Sequence, residues 1–295
     1  MSELSALNSA LIPWKQAIVN APQILVGLSG GMDSILLLKL LSEQVDTKLI
    51  QAVHINHGLS DNADQWQQFA EDYCQQLGVD FYAEKVQLVV SGEGVEAAAR
   101  DARYAVFESR LKQHGLLFLA HHADDQVETV VYRLLRGSGS KGLAGMPESR
   151  ALGLGKLIRP LLAYSKESIY REAVNRGLKW IEDESNLDDR FDRNYIRNQV
   201  IPVIAKRWPQ YPQAIMHSAG LSDQANLLTK ELALEDLARL DELKERAGWS
   251  ISMDGLSGLS VLRQKNLLRH WSEIKELPAP SSKIINEILS SVVSA

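Results

Sequence analysis

Cysteine is almost missing from this chain: Cys74 is the only one in 295 residues. A single thiol excludes an intrachain disulfide, a Cys-x-x-Cys redox pair and a thiolate-rich zinc site. Long apolar runs are missing too, with nothing near the 18 or more consecutive residues of a membrane helix. The start, Met-Ser-Glu-Leu, has no basic segment leading into an apolar one, so a cytosolic protein without membrane contact is expected. Net positive charge is also lacking, at -5, which argues against a protein that binds polyanions through its overall field. That deficit is uneven. Residues 133 to 207 carry 15 Lys and Arg against 9 Asp and Glu, whereas the remainder carries 17 against 28.

What is present, 45% hydrophobic and 23% charged residues, describes an ordinary globular chain long enough for one large and one smaller domain. Residues 5 to 19 read as an amphipathic helix. Gln23-Ile-Leu-Val-Gly-Leu28, a compact apolar run bounded by Pro22 and a Ser-Gly-Gly turn, reads as a buried parallel strand. Helices over 34 to 41, 62 to 77 and 94 to 113 then alternate with strands over 48 to 54, 80 to 86 and 116 to 120. Such alternation predicts an α/β fold with a doubly wound parallel sheet. A helix from Asp124 to Arg136 leads into a Gly-rich loop, 137 to 145, which is expected to be a lid or substrate loop. Two or three helices follow over 159 to 207. Beyond 211 the pattern is helical, with a long run over 224 to 246, a break at Gly248 and final helices over 259 to 276 and 282 to 293. The expected organisation is a catalytic domain over 1–207, a helical linker over 208–248 and a small domain over 249–295.

In an open parallel sheet, ligands sit beyond the carboxyl ends of the strands. Ser29-Gly30-Gly31-Met32-Asp33-Ser34 lies at such an end. Paired glycines allow a sharp turn that aims amide N–H groups inward, and the following helix N-terminus favours an anion. The hydroxyls of Ser29 and Ser34 suit phosphate oxygens, and Asp33 suits Mg²⁺. The next strand ends in Ala52-Val-His-Ile-Asn-His-Gly-Leu59, and a later one in Ala120-His-His-Ala-Asp-Asp-Gln-Val-Glu-Thr129. Asp125 and Glu128 share a face of the helix start. Acidic groups facing a phosphate loop imply an intervening cation, either Mg²⁺ or an amine substrate.

The loop resembles the Ser-Gly-Gly-x-Asp-Ser signature of PP-loop pyrophosphatases and ligases, which implies ATP cleaved between the α and β phosphates. With Arg133-Leu-Leu-Arg-Gly-Ser-Gly139, Arg159-Pro-Leu-Leu162, Trp180-Ile-Glu-Asp-Glu-Ser-Asn186 and Phe191-Asp-Arg-Asn-Tyr-Ile-Arg197, the blocks from about 20 to 207 are similar to the tRNA(Ile)-lysidine synthase family. That resemblance implies adenylylation of carbon 2 of the wobble cytidine in the CAU anticodon of tRNA(Ile), then displacement of AMP by an amine of free lysine. It implies ATP contacts from the loop (Ser29, Gly30, Gly31, Met32, Asp33 and Ser34) and from His54, Asn56 and His57. It implies catalytic or lysine-binding roles for Asp33, His121, Asp125, Glu128 and the basic pair Arg100 and Arg103, and base or phosphate contacts from His121 and His122. Contacts to tRNA are implied for Arg133, Arg136, Arg193, Asn194 and Arg197, with Trp180 either stacked on a base or buried. Longer family members continue into a further domain, so the chain is expected to be a short form or a truncated one. Oligomeric state stays open, a homodimer included. Rival readings are a tRNA thiolase, disfavoured by the lone cysteine, an amidating synthetase on the same loop, and a non-catalytic ATP-binding module.

Overall fold

A computed structural model describes residues 5–58, 60, 62–87, 95–246 and 248–293. Gly94, where a helix was expected to begin, and Leu59 lie outside the described residues. The predicted first helix is broken into α1 (Ser5–Asn8), a 3₁₀ stretch (Ser9–Trp14) and α2 (Lys15–Asn20). Pro13, which cannot donate a ladder hydrogen bond, sits in the 3₁₀ part.

The alternating elements then run β1 (Ile24–Gly27), α3 (Met32–Ser42), β2 (Ile50–Asn56), α4 (Ala63–Leu77), β3 (Asp80–Lys85), α5 (Val95–Arg110), β4 (Leu116–Phe118) and α6 (Ala123–Leu135). After the short α7 (Ser140–Leu143) comes a hairpin, β5 (Ser149–Leu152) and β6 (Gly155–Ile158), which the sequence did not suggest. Its connection is too short for anything but antiparallel pairing, so the sheet is parallel except at this edge. Strand order is β3-β2-β1-β4-β6-β5.

The sheet is apolar on both faces, as a parallel sheet covered by helices must be. Ile24 and Val26 of β1 point into the core beneath α3, whereas Leu25 points into the cluster with Val106 and Phe107 of α5. Ile35, Leu36, Leu37, Leu38, Leu40 and Leu41 of α3 are fully buried; a helix apolar all round must be covered all round. Ile169 and Ala173 of α8 (Lys166–Asn175) complete that cover.

The topology also sets the site. From β1 the chain winds outward through β2 and β3, then crosses back to lay β4 on the other side of β1. The carboxyl ends of β1 and β4 therefore flank the point where the winding reverses, which is where an α/β sheet opens a crevice.

Farther along are α9 (Asp192–Tyr195), a π-helical turn (Ile196–Val200), α10 (Ile201–Arg207) and α11 (Tyr211–Leu237). The helix predicted over 224 to 246 stops at Leu237, because Leu240 turns inward to a separate core; β7 (Leu243–Glu245) and β8 (Gly248–Ser250) pair beyond it. The chain closes with α12 (Met253–Ser257), α13 (Val261–Ile274), α14 (Ser282–Ile288) and a π-helical turn over Leu289–Val293.

Two compact units result. The first contains the sheet, with residues up to Gly137 and 145–217; the second contains Ser138–Ala144 and 218–295. In the second unit Ala233, Leu240, Leu256, Leu267, Leu268, Ile285 and Leu289 form the core. Asp236, fully buried, is paired with Arg263, and Lys141 is paired with Glu273 at 2.9 Å. Among the described residues no helix is long and apolar enough to cross a membrane.

Candidate active site

The loop after β1 is tied together by its own hydroxyls. Ser34 Oγ donates to the Gly31 carbonyl at 2.9 Å and accepts from the Ser29 amide at 3.2 Å. Ser29 Oγ accepts from the Gly31 amide at 3.2 Å and lies 3.1 Å from Ser34 Oγ. Gly30 has φ +88°, a backbone conformation that favours glycine, and Ile181 Cδ1 lies against the space a Cβ would take. The Ile181 N–H also donates to the Gly30 carbonyl at 3.0 Å. No side chain caps α3, which leaves its first N–H groups directed toward an anion. The Met32 side chain is buried in the core, so only its backbone can meet a phosphate.

Beside this loop, His122 caps α6. Its backbone N–H donates to Asp125 Oδ2 at 3.0 Å while its Nδ1 accepts from the Asp125 amide at 3.4 Å, a reciprocal box. The other ring nitrogen, Nε2, faces two carboxylates at once: Asp33 Oδ2 at 3.6 Å and Asp125 Oδ2 at 3.5 Å. Asp33 and Asp125, from opposite sides of the crevice, thus converge on one imidazole. Burial disfavours the charged form of His122, but the nearby carboxylates of Asp33, Asp125 and Asp124 outweigh it and raise its pKa. Asp125 is held low, because His122, His121, its backbone hydrogen bond and Arg197 overcome the penalty of burial.

Among the described residues no cluster of three or more His, Cys, Asp and Glu is arranged for a metal. Mg²⁺ needs less from protein, since it is bound through one or two carboxylates together with water and substrate phosphates. Asp33 Oδ1 is buried without a hydrogen-bond partner and stands next to the phosphate loop, which fits that demand.

The sequence treats Asp125 and Glu128 as a free acidic pair, and here the structure differs. Glu128 is buried and gripped bidentately by Arg197, Nε to Oε1 at 2.6 Å and Nη2 to Oε2 at 2.7 Å. Arg197 also reaches Asp125 at 3.5 Å. It stands on the π-helical turn, a widening of the backbone common at functional sites, and its guanidinium turns toward these two carboxylates. Glu128, Arg197, Asp124, Val127, Lys166, Ile201 and Tyr211 line a pocket of about 190 Å³. The pocket carries both charge signs.

The other expected site residues divide. His54 Nδ1 bonds the Leu28 carbonyl at 2.8 Å in a buried position, so it pins the end of β1 and holds the loop from behind. Asn56 is also buried and consumed locally, donating to Asp64 at 2.9 Å and Gln67 at 3.3 Å and accepting from the Gly58 amide. His57 keeps a buried Nδ1 without a partner and is pushed down to about 4, by burial first and then by Arg103 and His54. Arg100 lies over the Tyr104 ring at 5.7 Å with Arg150 at 5.0 Å, while Arg159 donates to the phenol oxygen at 3.3 Å. Arg103 has no hydrogen-bond partner among the described residues. Arg193 bonds Thr129 Oγ1 at 2.5 Å and faces Glu96 at 3.8 Å; Asn194 donates to the Asp188 carbonyl at 3.0 Å. Arg133 donates to the Gly145 carbonyl at 2.7 Å, and Arg136, exposed, folds over Tyr132. Trp180, partly buried, packs against the core and meets Tyr170 edge-on at 6.0 Å.

Sequence reasoning missed Gln126 and the role of Arg159. The Gln126 amide clasps the Met146 backbone with two hydrogen bonds of 2.6 Å, tying this segment to α6. Arg159 is buried and donates to His121 Nδ1 at 3.1 Å and to the Pro147 carbonyl at 2.8 Å. No carboxylate is among these partners. His121 is pushed down to about 3, by burial first, with Arg159, Arg103 and Arg193 opposing the pull of Asp125.

Two depressed histidines have a consequence for stability. The unfolded chain takes up these protons near pH 6.5, whereas folded His57 and His121 refuse them until about 4 and 3. Their contribution is complete above the unfolded value and is lost as pH falls below it; His122, raised, acts in the opposite sense. Urea unfolding at pH 5 is expected to give a stability at least about 1 kcal/mol below that at pH 7.5. His57→Gln should flatten that decline, and an unchanged slope would remove His57 as its source.

A PP-loop domain model matches residues 5–204, and a TilS substrate binding domain model matches residues 251–295. Similar proteins are tRNA(Ile)-lysidine synthases: that of Pseudomonas syringae pv. tomato is 41% identical, over 90% of this chain and 60% of its own length. Those of Pseudomonas putida and Coxiella burnetii are 44% and 38% identical, over 91% and 92% of this chain and 63% and 60% of their own lengths. The chain spans about three fifths of the length of these relatives. A U34-tRNA thiolase from Methanococcus maripaludis with a [4Fe-4S] cluster is 17% identical, over 72% of this chain and 80% of its own, with a TM-score of 0.52. That likeness concerns the fold alone. With two thirds of its residues matched by the domain model and the signature loop at the crevice, the chain belongs to the PP-loop family.

Proposed function

We propose that this chain ligates lysine to carbon 2 of the wobble cytidine in a CAU-anticodon tRNA(Ile), through an adenylylated tRNA and at the expense of ATP. The observation that carries the reading is the convergence of Asp33 and Asp125 on His122 at the mouth of the phosphate loop. The similarity to tRNA(Ile)-lysidine synthases supplies the substrate class.

In the first step the cytidine O2 attacks the α-phosphorus, an O–P bond forms, the bond to the β-phosphate bridge breaks and pyrophosphate leaves. Ser29, Ser34 and the free amides of α3 hold the phosphates in line, and such positioning with charge stabilisation supplies most of the catalysis in reactions of this type. Asp33 is the residue that would hold Mg²⁺, which when bound neutralises phosphate oxygens. In the second step an amine of lysine attacks C2, the C2–O bond breaks, AMP leaves and the nitrogen gives up a proton. Lysine brings two ammonium groups and a carboxylate. The mixed-charge pocket of Asp124, Glu128, Lys166 and Arg197 suits such a zwitterion, with Arg197 toward the carboxylate and the acidic groups toward an ammonium.

The test combines protein, Mg²⁺ and ATP with and without unmodified CAU-anticodon tRNA(Ile), and follows pyrophosphate release and [¹⁴C]lysine incorporation. Lysine transfer confined to that tRNA is the expected result. ATP binding without tRNA-dependent pyrophosphate release would favour a nucleotide-sensing module instead.

For tRNA contact, exposed Arg136 at the end of α6 is the simplest side chain to examine. Arg136→Ala is expected to weaken binding to every tRNA alike and to lower the slope of log affinity against log salt by about one. An unchanged slope would withdraw Arg136 from the phosphate contacts.

A further inference from the structure

Arg159 is a buried cation whose partners are an imidazole nitrogen, a carbonyl and a phenol, with no carboxylate among them. Burying a guanidinium without a counter-charge is costly, so its placement calls for a purpose beyond packing. Its Nε–H points at His121 Nδ1 at 3.1 Å. Arginine has five N–H donors and no acceptor, hence Nδ1 must offer a lone pair. Rotating the ring by half a turn would set a C–H against that N–H, so the hydrogen bond also selects the ring orientation. A neutral imidazole whose Nδ1 accepts has its only proton on Nε2. That nitrogen has no hydrogen-bond partner among the described residues, and His121 is only partly buried at the end of β4, next to the capping His122. Its low proton affinity, described above, agrees with a ring that stays neutral at pH 7.

We infer that Arg159 is a positioning residue that holds His121 as a neutral ring whose open nitrogen, Nε2, carries the proton, so that His121 serves the proposed reaction as an N–H donor and not as a base. Its only free ring nitrogen carries the proton, and the only lone pair is occupied by Arg159. The proton that lysine's nitrogen must lose therefore leaves by another route. Gln126 and Met146 add to the arrangement, since the clasp between them holds the backbone that leads to the Pro147 carbonyl bound by Arg159. The inference rests on the proposed adenylylation for what His121 touches, but its chemical core, the tautomer, does not.

Two measurements on the full chain test it. Long-range ¹H–¹⁵N spectra of the histidine-labelled protein at pH 7, with His121 identified by its loss in His121→Gln, should show a neutral ring protonated at Nε2. Arg159→Met should convert that signal to a mixture of tautomers, and Arg159→Lys, which keeps one donor in case the first variant fails to fold, should retain it. In single-turnover pyrophosphate release, His121→Gln places an amide N–H near the Nε2 position and is expected within about tenfold of the parent. His121→Ala and His121→Asn, which lack that donor, should be slower by roughly 10²–10³-fold, the usual effect of removing a donor to developing charge. A His121 ring that is doubly protonated or protonated at Nδ1 would overturn the inference, as would His121→Gln being as slow as His121→Ala. If the tautomer is as stated and the parent protein transfers no lysine, the proposed function fails while the Arg159 to His121 assignment stands.

Discussion

Replacing Asp33 by alanine is expected to lower tRNA-dependent pyrophosphate release by 10²–10³-fold or more, with little change in folding. The expectation follows from position. Asp33 stands in the first turn of α3, its Oδ1 is buried without a partner, and its Oδ2 faces His122. Nothing in the hydrophobic core depends on it, since its apolar neighbours along α3 are buried independently. Losing one group aimed at developing phosphate charge typically costs on the order of 10²–10³ in rate. Asp33→Asn keeps the shape and removes the charge, and it should be nearly as slow. Circular dichroism and urea unfolding would establish that both variants fold. An Asp33→Ala protein with the parent rate would remove both the proposed metal role and the phosphate-site assignment.

Removing Arg197 is the change with the largest expected effect on stability. Arg197→Met leaves the buried Glu128 carboxylate without its bidentate partner. Breaking a buried pair from one side costs about 3–5 kcal/mol, and because Arg197 itself is partly exposed the lower end applies, roughly 6–12 °C in melting temperature. Burial already raises the Glu128 pKa despite Arg197, so part of the loss will be taken up by protonation. The double variant Glu128→Gln with Arg197→Met should recover most of the stability, since no uncompensated charge remains. It should not recover the lysine requirement: an increase of tenfold or more in the lysine concentration for half-maximal rate is expected of both variants. Full recovery of that requirement in the double variant would confine the pair to a structural role.

Much of the first unit was legible in the residues. The apolar run before Ser29, the helix after it and the later alternation predict β1, α3, β2, α4, β3 and β4 to within two residues, because buried parallel strands and the helices that cover them have strong periodic patterns. The β5–β6 hairpin was not legible; four-residue strands around Gly153 carry too little pattern, and their pairing depends on β4 being there to receive β6. The strands β7 and β8 were hidden for the same reason. Of the site, the phosphate loop could be read from six consecutive residues, since its chemistry is backbone geometry and short side chains. Asp125 and Glu128 could be seen on one helix face, but not that Glu128 is held by a side chain 69 positions away.

By itself the sequence determined the α/β architecture, the phosphate loop and the acidic, histidine-rich segment, because each is encoded over a few neighbouring positions by local propensity and spacing. Which of those segments meet was decided only by the tertiary structure. Laying β4 against β1 brings Asp125 to Asp33 through His122, pairs Arg197 with Glu128, and puts Arg159 behind His121. Long-range pairing of this kind leaves no mark on local sequence, since the charge of an arginine reads the same whether solvent or a buried carboxylate receives it.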